Sequence, residues 1–132
     1  MVFITALILF AILTLVLLST EIMYTYATQG FGYGFSSNRA PVERSPLALR
    51  IQRTYLNQVE AASYAVPILA AAAISGLESN GAELAAHLFI LGRLAFSVLY
   101  YSGLPFVRVL GFLVANLSLL YIVIAMFAAG LA

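Results

Sequence analysis

Residues 1–20 contain no charged side chain, and Val109–Ala132 contains none either. Between them, Ile22–Asn38 continues uncharged after Glu21. Thr54–Leu77 is broken only by Glu60, and Leu84–Val107 only by His87 and Arg93. Runs of about 20 apolar residues match the thickness of a bilayer core. Soluble domains carry roughly 25% charged residues, whereas this chain of 132 residues has 8% and is 64% hydrophobic. No soluble fold of this length could hide so much apolar surface, so the sequence predicts an integral membrane protein. Four helices fit and five do not, near residues 2–28, 47–76, 83–103 and 106–131. The expected fold is all-α, a single membrane-embedded four-helix up-down bundle across 1–132.

The first run lacks a basic leader and exceeds the usual length of a cleaved signal's apolar region, so it reads as a retained helix. The chain has no cysteine, which removes disulfides, thiolate metal sites and cysteine nucleophiles. Neither a metal nor a nucleic-acid partner is expected. All six basic residues are arginine. Arg39, Arg44, Arg50 and Arg53 flank or lie in the one long connection, and Arg108 follows the third. The second connection holds Glu78 and Glu83 without a basic residue. The positive-inside rule then places connections one and three in the cytoplasm and both termini on the opposite side. The long connection contains "GFGYGF", whose glycine spacing is wrong for a phosphate loop. It reads as a flexible loop with aromatics at the headgroup level, or as a lid. Pro105 is expected to open the last helix, and the small residues of "ILAAAAISG" (68–76) suit helix contacts.

"RIQRTYLNQVE" (50–60) is the stretch that least fits a lipid-facing helix. At about 100° per residue, Arg50, Arg53, Asn57 and Glu60 fall near 0°, 300°, 340° and 280°, one narrow polar stripe. Glu60 and Arg93 stand at a similar depth on helices expected to be antiparallel neighbours, so a Glu60–Arg93 contact is predicted, within a subunit or across an interface. Ionisable residues at such depth must face protein or water. With Tyr100 and Arg108 added, the cluster is too cationic to neutralise itself, and a bound anion is the economical expectation. Lipid phosphate reached by snorkelling arginines is the simplest such anion. His87 reads as an interfacial or packing residue, Asn116 as interhelical glue, and Glu21 as a partner for an arginine of a neighbouring subunit.

"RIQRTYLNQVEAASYAVPIL" resembles the second-helix signature of the MAPEG family, the membrane-associated proteins in eicosanoid and glutathione metabolism. Its R-x-x-R-x-x-x-N-x-x-E pattern is met by Arg50, Arg53, Asn57 and Glu60, with Pro67 following. "GRLAFSVLYYSGLPFVRVLGF" (92–112) resembles the end of the family's third helix, with Arg93, Tyr100 and then Arg108. Ala61 follows the signature glutamate where leukotriene-synthase-like members carry tyrosine. The resemblance implies a homotrimer that holds glutathione as co-substrate between adjacent subunits at the cytoplasmic side. Arg50 or Arg53 and Arg93 would hold its carboxylates, Glu60 its ammonium, Asn57 its peptide backbone, and Tyr100 would contact it through the phenol. Arg108 would be the catalytic residue, stabilising a thiolate that attacks a lipophilic electrophile from the bilayer, as a transferase or a peroxidase does.

Two further readings belong to other classes. One is a non-catalytic membrane protein that keeps the fold, binds an anionic lipid or metabolite, or serves as a subunit of a larger assembly. The other is a small transporter, disfavoured because no inverted repeat or broken-helix pair is visible.

Overall fold

In the computed structural model, which describes residues 1–132, five helices form: α1 (Val2–Gln29), α2 (Phe31–Phe35), α3 (Pro46–Ile74), α4 (Asn80–Ser102) and α5 (Val107–Ala128). The four long ones match the expected runs to within a few residues. The short α2 stands in what the sequence suggested was flexible loop. Their ends follow from local chemistry. Ser45 and Ser79 accept hydrogen bonds from the backbone N–H of Ala48 and Ala82, capping α3 and α4, and Pro46 occupies the first turn of α3, where its missing N–H costs nothing. Gly103, at φ 77°, stops α4 in the left-handed conformation that glycine adopts freely.

Pro105 does not open the last helix as expected. It lies before Phe106, and α5 begins at Val107. The N–H of Val107 bonds the carbonyl of Pro105 at 2.7 Å across Phe106, which has φ 66° and ψ −49°. This is a tight γ-turn with a non-glycine residue at positive φ, a sparsely populated conformation.

Pairs across the helices give the topology. Gln58 of α3 bonds Thr14 of α1, and Arg44, just before α3, bonds Thr25 near the end of α1, so α1 and α3 are antiparallel. Gln58 with Arg93, and Arg50 with Tyr101, make α3 and α4 antiparallel. Gly81 against Tyr121 and Tyr100 against Arg108 do the same for α4 and α5. The order is up-down-up-down, with α4 packed most extensively on α5 and α1 on α3.

The closest approach lies where α4 crosses α5. A Cβ on Gly92 would stand 2.8 Å from the carbonyl oxygen of Gly111 and the nitrogen of Ala115, and a Cβ on Gly111 would stand equally close to Gly92. Small residues at membrane helix crossings let backbones meet in this way. The 68–76 stretch contributes to the core through Leu69 and Ala72, both fully buried, while Ala71 is exposed. Phe10 and Phe89 stack at 5.5 Å in the same core. Only 29 of the 132 residues are buried, and Ile4, Ile8, Ile12 and Leu15 line an exposed apolar face of α1. Such a face is suited to lipid rather than water.

α1, α4 and α5 are long and apolar enough to cross a membrane, which makes the chain an integral membrane protein. α3, with 29 residues, spans about 43 Å by helical rise. Its polar stripe holds its hydropathy below that of the other three.

Candidate functional site

The stripe lies on the flank of α3. Ile51, Thr54, Gln58, Ala61, Ala65 and Leu69 form that helix's buried seam. Arg53 and Glu60 sit to one side of it, exposed on the isolated subunit, and Arg50 and Asn57 are half-buried between the two. The reason is rotational. Positions 54, 58, 61 and 65 fall near 40°, 80°, 20° and 60°, about 90° from the centre of the stripe.

Each arginine has a distinct setting. Arg50 donates from Nε to the carbonyl of Tyr101 at 3.2 Å, and its guanidinium packs on Gly103. It therefore satisfies the C-terminal end of α4, where cations are favoured by the helix dipole. Arg53 has no side-chain partner within the subunit. Arg108 stacks over the ring of Tyr100 with Cζ 4.2 Å from the centroid, and Tyr100 is braced edge-on by Phe96 at 5.5 Å. That cation–π contact fixes the guanidinium at the start of α5.

Arg93 is 0% exposed, and its partner is not the one the sequence suggested. No ion pair joins it to Glu60 within the subunit; the chain's one ion pair links Arg44 to Glu21 at 3.8 Å. Glu21 thus finds its arginine in its own chain. Arg93 instead donates from Nε (3.0 Å) and Nη2 (2.8 Å) to Oε1 of Gln58. Gln58 in turn donates to the hydroxyl of Thr14 at 3.1 Å. The result is a buried relay that joins α4, α3 and α1. Nη1 of Arg93 and Oδ1 of Asn57 remain buried without a hydrogen-bond partner. Gln58 and Thr14 are the residues that sequence reasoning missed. Gln58 is the one amide on the buried seam, and that position was the available signal.

Further along α3, the hydroxyl of Tyr64 donates to Oδ1 of Asn116 at 2.9 Å, so Asn116 does act as interhelical glue. This contact also sets the register, because α3 and α5 run parallel. Counting back equally on both helices, about 12 Å by helical rise, puts Arg108 at the level of Leu56 and Asn57. Arg53, Asn57, Glu60 and the Arg108–Tyr100 pair therefore occupy one zone, the half of the bundle nearer the 30–45 connection. His87 lies in the other half, its Nδ1 2.8 Å from the carbonyl of Glu83.

None of the four main clefts of the subunit is lined by the stripe or by Arg108. Arg53 and Glu60 instead face outward. Opposite charges on the flank of an apolar helix, with no enclosing wall, could hold a ligand only if something beside the subunit closed over them. No group of His, Cys, Asp and Glu side chains could hold a metal ion.

The family model described as the MAPEG family matches residues 3–128. No curated protein and no solved structure matches the chain.

Proposed function

The chain belongs to the MAPEG family, and on that premise we propose that it is a membrane-embedded glutathione-dependent transferase or peroxidase acting on a lipophilic electrophile. In this reading all four long helices cross the bilayer and the chain assembles as a homotrimer. The 30–45 connection is cytoplasmic and both termini lie on the other side. Glutathione sits against the flank of α3 and is covered by the neighbouring subunit.

The observation that carries this reading is the outward, uncovered placement of Arg53 and Glu60 at the level of Arg108. Ionisable groups inside a membrane are costly unless protein or water receives them, and within the subunit nothing does. Glutathione has two carboxylates and one ammonium, the inverse of this set. Arg50 and Arg53 would bind carboxylate by charge-assisted hydrogen bonds, Glu60 the ammonium, and Asn57 the peptide backbone. Tyr100 would present Arg108 to the sulfur. A guanidinium there favours thiolate over thiol, whose unperturbed pKa is about 8.5. The sulfur would then form a bond to the electrophilic atom of a lipid-dissolved substrate as the leaving group departs. Arg93 acts in this scheme through Gln58, by fixing α3, and not on the ligand.

Isothermal calorimetry of glutathione with the protein in lipid nanodiscs tests the binding half. Wild type should bind saturably below millimolar concentration, and Glu60→Gln should weaken binding by about tenfold or more, as expected for loss of a charged partner worth ~1.5–3 kcal/mol. Absence of saturable binding at millimolar glutathione would remove the reading. It would favour a non-catalytic member that binds an anionic lipid, for which Arg50 and Arg108, already held by Tyr101 and Tyr100, would suffice.

A further inference from the structure

α2 is five residues long, yet it is pinned in place. Phe31 and Phe35 stack on each other at 5.9 Å, and each lies 5.4 Å from the ring of Tyr26 on α1. Gly34 makes this fold-back possible, since a Cβ there would overlap the Tyr26 ring. Arg39 donates to the carbonyl of Gly34 and lies over the ring of Tyr33, tying the segment to the chain that follows it. α2 packs on α1 and on no other helix, so within the subunit it does not cover the stripe as a lid would.

The side of the segment away from Tyr26 is bare. Phe31 is 66% exposed and Phe35 73%. Tyr26 falls on the rotational face of α1 that carries Ile8, Ile12, Leu15 and Ile22, all exposed, so the aromatic cluster continues the lipid-facing stripe to its end. Arg39 stands next to it with donors to spare. An apolar aromatic wedge continuous with a lipid-facing helix and rimmed by a cation matches the boundary between acyl chains and phosphates.

We propose that α2 is an interfacial foot: Phe31 and Phe35 insert at the acyl–headgroup boundary of the leaflet on the side of the 30–45 connection, and Arg39 binds the phosphate of an anionic lipid there. The foot sets the depth and rotation of α1. Through the Thr14–Gln58–Arg93 relay it also sets the level at which α3 presents its stripe.

The chain contains no tryptophan, so Phe35→Trp and, separately, Phe31→Trp each introduce a single indole, excited selectively at the red edge where tyrosine does not absorb. In phosphatidylcholine nanodiscs with phosphatidylglycerol, both indoles should emit to the blue of an aqueous indole. They should be quenched by lipids brominated near the carbonyl end of the chain and be little affected by aqueous iodide. At equal mole fractions, brominated phosphatidylglycerol should quench better than brominated phosphatidylcholine. Arg39→Gln should cut that preference about fivefold, the equivalent of ~1 kcal/mol per arginine at an anionic surface. Solvent-like emission with full iodide quenching would overturn the proposal by placing α2 in water. Quenching by neither lipid nor iodide would overturn it too, because the wedge would then be covered by protein. A preference unchanged in Arg39→Gln would remove the phosphate contact.

Discussion

Replacing Gln58 with leucine takes away the only side-chain acceptor of a guanidinium that has no solvent exposure. The two bonds from Arg93, at 3.0 and 2.8 Å, are hydrogen bonds to a charged group, each worth about 1.5–3 kcal/mol. Leaving a buried charge without its partner costs about 3–5 kcal/mol. Neutral interhelical pairs in membranes average only ~0.6 kcal/mol, so the charge decides the size of the effect. Gln58→Leu should therefore lower the unfolding free energy by about 3–5 kcal/mol. Arg93→Met removes the charge and strands only the neutral amide oxygen of Gln58, at about 1–3 kcal/mol. The double variant replaces both partners with apolar groups and should return to within ~1 kcal/mol of wild type. Reversible denaturation in mixed micelles, followed by far-ultraviolet circular dichroism, gives all four corners of the cycle. A coupling below ~0.5 kcal/mol, the usual scatter for independent sites, would show that Arg93 and Gln58 do not act as a pair. A stable double variant that still binds glutathione would show that Arg93 does not contact the ligand.

Gly92→Ala drives a methyl into the backbone of α5 and should cost about 1–3 kcal/mol by the same denaturation, as overpacking does. Phe106→Gly relieves a positive φ on an 84% exposed side chain and should raise stability by about 1 kcal/mol. A loss instead would show that the Phe106 ring is anchored outside the subunit. Tyr100→Phe keeps the ring beneath Arg108 and should preserve glutathione thiolate formation. Tyr100→Leu removes a cation–π contact worth about 0.5–2 kcal/mol and should lower the thiolate fraction without abolishing binding.

The helices were legible because charge is so scarce that each interruption marks an end or a site. The breaks at Arg39 and Glu78 lie in connections, while Glu21, Glu60 and Arg93 lie inside helices. The stripe was legible too, since Arg50, Arg53, Asn57 and Glu60 share a rotational face whatever surrounds them. The partner of Arg93 was not. Charge complementarity and depth suggested Glu60, but rotation decides: Glu60 lies outside the seam, and Gln58 points directly into it. Gly92 and Gly111 could be found as glycines inside helices, but their mutual approach depends on how α4 and α5 cross. Nothing local marked α2 as ordered, because it is held by Tyr26 and Arg39 and not by its own helical propensity. The conformation of Phe106 was equally hidden, being imposed by joining α4 to α5 within a few residues.

The proposed function rests on Arg108, held over Tyr100, turning bound glutathione into its thiolate. Ultraviolet difference absorbance of glutathione on the protein in nanodiscs, at a pH below the free thiol's pKa, reads that species directly. Wild type should show a saturable thiolate band, and Arg108→Ala should retain most of the binding while losing the band. A band of equal size in Arg108→Ala, or saturable binding by wild type with no band at all, would contradict it.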